Sequence, residues 1–175
     1  KQGHLISNPV CYRDARTEGM LEKAFKVLPK ERFYALTGNQ FMEINTAFQL
    51  YSMTLANDSI LQIADKLLFT PDLFNYFLTG RALNEFSIAS TSQLFSHTKH
   101  DWADEVFDVL GLPRRLMQKV VSAGCVIGEL SEDVVAEVGG KGVKVVAVGS
   151  HDTASAVASI EATGDNWAFI SSGTW

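Results

Sequence analysis

The chain changes its hydrophobic rhythm near residue 120, and that change limits what it can fold into. Before it, apolar residues recur at helical spacing between cap signals. A helix from about Thr17 carries Leu21, Ala24, Phe25 and Leu28, and another over 29–36 stops at Gly38. Asn45 caps a helix with Phe48, Tyr51 and Leu55, and Asp58 caps one with Ile60, Ile63, Ala64 and Leu67. Thr70, Pro71 and Asp72 supply an N-cap, a proline in the first turn and an acidic first turn for a helix with Leu73, Phe74 and Phe77, ended by Gly80. Asp101 opens a helix with Trp102, Val106, Val109 and Leu110, closed by Gly111 and Pro113. After 120 the pattern predicts a strand at 125–130, a helix capped by Ser131, a buried strand at 143–148, a loop at 149–153, a helix at 154–160 and a strand at 167–171. Residues 4–12 read as a further strand, interrupted by Pro9 and so near a sheet edge. The class this predicts is α/β, with a helical insertion over about 45–120 and an α/β core over about 120–175.

Composition narrows the function classes. Of 175 residues, 46% are hydrophobic and 20% charged, which suits a packed domain and excludes a disordered chain. Fifteen Lys and Arg against 20 Asp and Glu give a net charge of −5, with no basic run. Such a chain is a poor binder of nucleic acid or anionic membranes, and an anionic substrate must be held by local donors. No apolar run reaches the roughly 20 residues of a membrane helix. No signal peptide opens the sequence. Cys11 and Cys125 sit in apolar contexts without metal-ligand spacing, which predicts buried free thiols and a cytoplasmic location. The absence of an initiator Met and the ending at 170–175, where a strand runs into a turn, predict an internal piece of a longer protein.

Two segments can carry chemistry. In open α/β sheets ligands bind beyond the carboxyl ends of strands, and His151 and Asp152 lie there, after an apolar strand and before a helix of small residues. A carboxylate at Asp152 can accept a proton from a substrate hydroxyl; it can equally be a helix cap. The second segment, Ser171 to Thr174, is a turn with hydroxyls and free backbone N–H groups that can hold phosphate oxygens, or an ordinary hairpin turn. Neither common phosphate-loop motif occurs. Ser150, His151 and Asp152 are consecutive and so do not converge as a hydrolase triad. His97, His100 and Asp101 read as a solvated surface, Arg13, Asp14 and Arg16 as a surface ion cluster, and Gln40, Asn45, Glu85 and Gln93 as structural hydrogen bonders. No metal site is predicted.

Six blocks in order carry a family likeness: Pro9-Val-x-Tyr-Arg-Asp-x-Arg-Thr17, Thr37-Gly-x-Gln-Phe41, Ile44-Asn-Thr-x-x-Gln-Leu50, Pro71-Asp-Leu-Phe-x-Tyr-x-Leu-Thr-Gly80, Gly149-Ser-His-Asp-Thr-Ala-Ser-Ala-Val157 and Ser171-Ser-Gly-Thr-Trp175. Together they resemble the FGGY family of carbohydrate kinases, and most of all its members acting on L-rhamnulose. The resemblance implies an actin-like, ribonuclease-H-like ATPase fold of two domains with the active site between them. Residues 1–175 would be the later part of the N-terminal, sugar-holding domain, with the phosphate loop before residue 1 and the adenine-binding C-terminal domain after Trp175. It implies Asp152 as catalytic base, His151, Asp152 and Thr153 as sugar contacts, and Thr174 as an ATP contact. The reaction implied is transfer of the γ-phosphoryl of ATP, bound with Mg²⁺, to the C1 hydroxyl of L-rhamnulose in L-rhamnose catabolism, with the isolated chain inactive. The alternatives are a kinase of the same family for another ketose or polyol, such as xylulose, fuculose or glycerol, or a non-catalytic actin-like sugar- or nucleotide-binding module.

Overall fold

Glycines in the left-handed region punctuate the helices, because only a residue without Cβ takes that conformation cheaply. In the computed structural model, which describes residues 3–173, helix α1 (Met20–Val27) opens after Gly19, and α2 (Lys30–Thr37) closes on Gly38, whose N–H donates to the Tyr34 carbonyl. Helix α3 (Thr46–Leu55) buries Ala47, Phe48, Leu50 and Tyr51. A single turn, α4 (Ile60–Ile63), starts where the Asp58 carboxylate accepts the Ile60 N–H at 2.9 Å. Helix α5 (Thr70–Thr79) has Pro71 in its first turn and ends at Gly80.

The chain continues through β1 (Asn84–Glu85), α6 (Phe86–Ser90), β2 (Phe95–Ser96), β3 (Asp101–Trp102), α7 (Asp104–Leu110) and β4 (Val120–Val121). It then forms β5 (Val126–Glu129), α8 (Glu132–Val138), β6 (Lys144–Val146) and α9 (Asp152–Ala158). The described strands pair two by two. β1 and β4 are parallel, with Glu85 opposite Val121; β2 and β3 are antiparallel, with Phe95 opposite Trp102. β5 and β6 are antiparallel, with Val126 opposite Val146 and an irregularity between Val126 and Gly128.

One core joins α1, α2, α3, α6 and α7. Phe33 packs edge-on against Phe41 and tilted against Phe48, with centroids 5.3 and 6.0 Å apart. A second aromatic group centres on Trp102, which meets Phe95 and Phe107 edge-on at 6.0 and 6.4 Å and donates its indole N–H to the Gln118 carbonyl at 2.8 Å. Such pairs add about 0.5–1.5 kcal/mol each beyond the area they bury. Gln93, fully buried, bridges segments by accepting from the Thr37 hydroxyl and donating to the Asn39 carbonyl.

Several elements differ from expectation. Residues 4–12 form no strand and are exposed, and 167–171 form none either; a strand needs a neighbouring strand for its N–H and C=O groups, and neither segment pairs with one among the described residues. Asp101 begins strand β3, so the helix expected there starts at Asp104. Asp72 stands in the first turn of α5 as expected, and is buried there. The segment expected as a buried strand at 143–148 is short and mostly exposed, with only Ala147 fully covered. Cys11 is exposed and Cys125 half-buried, both as free thiols.

Candidate active site

Helix α9 begins at Asp152, one loop after β6, the strand that pairs with β5. The loop leaves the sheet through two backbone hydrogen bonds, Ala147 N–H to Cys125 O at 2.8 Å and Gly124 N–H to Ala147 O at 2.7 Å. Gly149 then passes close to α9: a Cβ there would lie 2.8 Å from the Ser155 Oγ, which itself donates to the Gly149 carbonyl.

The Asp152 carboxylate is almost fully exposed. Its Oδ1 accepts from the Thr153 N–H at 2.7 Å and lies 3.5 Å from the Thr153 hydroxyl, while the His151 Nε2 is 3.9 Å away. The helix-capping position belongs to His151, which makes no side-chain cap bond. Asp152 therefore sits inside the first turn, and its Oδ2 has no hydrogen bond among the described residues. A carboxylate held on one oxygen and open on the other can take a proton from an approaching hydroxyl. The structure thus brings His151, Asp152 and Thr153 together; Thr174 lies outside the described residues.

Behind the loop lies a buried polar network that sequence reading treated only as structural. Glu85, 1% exposed, accepts on Oε2 from the Ser87 hydroxyl at 2.5 Å, the Ile88 N–H at 3.3 Å and the Ser150 N–H at 3.1 Å. The Ser87 Oγ in turn accepts from the His151 N–H at 3.0 Å. The second Glu85 oxygen, Oε1, is buried with no partner among the described residues. One step further in, Asp72 accepts from the Glu85 N–H at 3.0 Å and from the Asn84 side-chain amide at 2.9 Å, and Asn84 accepts from the Gln118 N–H. Burial pushes the Asp72 carboxyl up to about 6; the bonds from Asn84 and Glu85 hold it back, and the Glu85 charge adds to the rise. The only signal in the sequence was the Asn-Glu pair between two apolar runs.

Elsewhere, a cavity of about 370 Å³ opens between Tyr12, Arg13 and Asp14 on one side and Met42, Glu43 and Ile44 on the other. Asp152 does not line it. Arg16 there reaches Gln49 at 2.8 Å and Asp14 at 3.5 Å, so the expected ion cluster is tied to α3. His97 and His100 are exposed. No group of three His, Cys, Asp or Glu among the described residues is placed to hold a metal ion.

Solved structures of a xylulose kinase and a glycerol kinase share this fold. A xylulose kinase from Lactobacillus acidophilus superposes with a TM-score of 0.74 at 16% identity over 83% of this chain and 30% of that one. A Plasmodium falciparum glycerol kinase with ADP gives 0.71 at 15% identity over 84% of this chain and 29% of that one. The model of the FGGY family of carbohydrate kinases, N-terminal domain, matches residues 1–158. The chain belongs to the FGGY family of carbohydrate kinases. Among curated relatives, the rhamnulokinase of Bacteroides thetaiotaomicron is 40% identical over all of this chain and 36% of its own length. Those of Lactiplantibacillus plantarum and Pectobacterium atrosepticum are 37% and 38% identical, again over the whole chain. The chain spans about a third of the length of these relatives, 34–36%.

Proposed function

We propose that the whole protein phosphorylates L-rhamnulose on its C1 hydroxyl with MgATP, and that residues 1–175 are the later part of its N-terminal, sugar-holding domain. The 35–40% identity to rhamnulokinases over 97–100% of the chain supports the substrate. The observation that carries the chemistry is the exposed Asp152 carboxylate, engaged on one oxygen and open on the other, at the head of α9. In this reading the C1 oxygen attacks the γ-phosphorus, the bond to the ADP oxygen breaks, and the hydroxyl proton passes to Asp152. Such transfers depend on positioning and on stabilising charge. Magnesium enters with the nucleotide as part of the substrate. His151 and Thr153 flank the base and donate to or accept from sugar hydroxyls, and Thr174 meets the nucleotide. A cytoplasmic location accompanies a reaction fed by ATP, and no described helix is long and apolar enough to cross a membrane.

The test uses the full-length protein with L-rhamnulose, xylulose, fuculose and glycerol, read by ADP release. L-Rhamnulose is expected to be the best substrate by kcat/KM. Asp152→Asn keeps the shape but loses the proton acceptor, so turnover drops by roughly 10²-fold or more while sugar binding persists. His151→Ala raises KM for L-rhamnulose more than it lowers kcat, because a site built to bond a hydroxyl discriminates by leaving its own group unpaired. Normal turnover in Asp152→Asn defeats the base assignment, and a different best sugar defeats the substrate assignment.

A further inference from the structure

Asp152 is aimed by its backbone. Among the described residues its side chain bonds only to the adjacent Thr153, and the His151 ring is 3.9 Å away, so none of them that is distant in sequence holds the carboxylate itself. The two peptide N–H groups just before it are held from far away. Ser150 N–H donates to Glu85 Oε2 and His151 N–H donates to Ser87 Oγ, across 65 and 64 residues. Glu85 and Ser87 are bonded to each other at 2.5 Å and both are buried, at 1% and 8% exposure. The Glu85 backbone is fixed in turn by Asp72 and by pairing with Val121. A rigid pair thus grips consecutive amides, and the next residue is the exposed carboxylate.

We infer that Glu85 and Ser87 are positioning residues for Asp152: they set where the base stands by anchoring the Ser150 and His151 amides. The inference rests on the assignment of Asp152 as base. A mere core-filling role would not require the shared oxygen. Glu85 Oε2 gathers three donors while Oε1, equally buried, takes none. The Glu85 oxygen that caps α6 through the Ile88 N–H thus also reaches the loop through the Ser150 N–H, while its second oxygen is buried with no donor among the described residues, which a buried acceptor normally avoids. Misplacement of a reacting group by about 1 Å is enough to cost up to roughly 10²-fold in rate, so a small slip of this loop has a catalytic effect without unfolding the protein.

The experiment is a double-mutant cycle in the full-length protein with L-rhamnulose and MgATP, joined to amide hydrogen exchange. Ser87→Ala is expected to lower kcat about tenfold, with KM for MgATP unchanged. In an Asp152→Asn background the same substitution should lower the residual rate by less than about twofold, since a residue acting through Asp152 has nothing left to position. Exchange at the His151 amide should quicken at least about tenfold in Ser87→Ala. An equal fold-loss in both backgrounds overturns the inference, because it marks general destabilisation. Unchanged His151 exchange overturns it too, whatever the kinetics. Should Ser87→Ala fail to fold, Glu85→Gln and Glu85→Ala decide. Gln keeps a carbonyl oxygen for the three donors, so it should retain about fivefold more turnover than Ala, and equal turnover in the two overturns the inference. Full turnover in Asp152→Asn alone instead locates the fault in the base assignment, and the exchange arm then still reports whether the anchor exists.

Discussion

Residues 17–117 and residues 121–173 share one chain but are built differently. The first region encloses nearly all of the buried apolar side chains, from Met20 through Phe33, Phe48 and Trp102 to Met117. It also contains every buried polar residue described, from Thr17 to Ser96. The second buries only Ile127 and Ala147 among its hydrophobic residues. It leaves Val138, Val148 and Ile170 at 72%, 65% and 86% exposure. Burial of apolar surface is the main favourable term in folding. The first region therefore has its own core, whereas the second is held by backbone pairing and by its grip on the first. The candidate base lies in the second, and its aim comes from the first.

Three measurements press on that contrast. The largest effect is expected for Phe48→Ala. Phe48 is fully buried against Phe33, and truncating such a side chain costs about 3–5 kcal/mol through lost transfer energy and the cavity left behind. Urea unfolding followed by tryptophan fluorescence reads it; a loss under about 1 kcal/mol would mean that the first region is not packed as described.

The next effect depends on pH. Asp72 has its carboxyl pushed up to about 6 from an ordinary 3.8. Between those values the folded state binds more protons than the unfolded one, so this group's contribution to stability is full below about 4 and is lost as pH rises through about 6. Comparing wild type with Asp72→Asn by urea midpoint at pH 7 and pH 4.5, the wild type should gain on the variant on acidification, by on the order of 2 kcal/mol. A gap that is constant or shrinks on acidification contradicts a buried, ionisable Asp72.

The smallest effect is expected in the second region. Val138→Ser on α8 changes an exposed position and should move stability by no more than about 0.5 kcal/mol. A cost comparable to Phe48→Ala would erase the distinction between the regions.

What the sequence made legible follows the same division. Helix ends at Gly38, Gly80 and Gly111 were readable because a left-handed cap is decided locally, and all three glycines stand at positive φ closing their helices. The positions of Phe48 and Tyr51 on the buried face of α3 followed from spacing alone. The strands expected at 4–12 and 167–171 were not realised, since pairing depends on residues far away in sequence. The neighbourhood of Asp152 was legible from the motif at 149–157, but its anchor was not. Nothing in the local pattern announces that Glu85 and Ser87 reach the amides of Ser150 and His151. The place of Asp72 in the first turn of α5 was legible, but its burial was not, because only the tertiary arrangement turns it toward Asn84 and Glu85.

The order of these anchors along the chain has a consequence for synthesis. Chains emerge from the ribosome N-terminus first and tend to fold in that order. Asp72, Asn84, Glu85 and Ser87 all precede the loop they hold, and the core and strand pairing around them reach no further along the chain than Val121. The nascent helical region can close before Ser150 has been translated, leaving a waiting cradle with one seat for each of two peptide groups. The reactive segment is then received by finished structure, and its arrival is an event that a pulse-labelling experiment on stalled ribosomes would register.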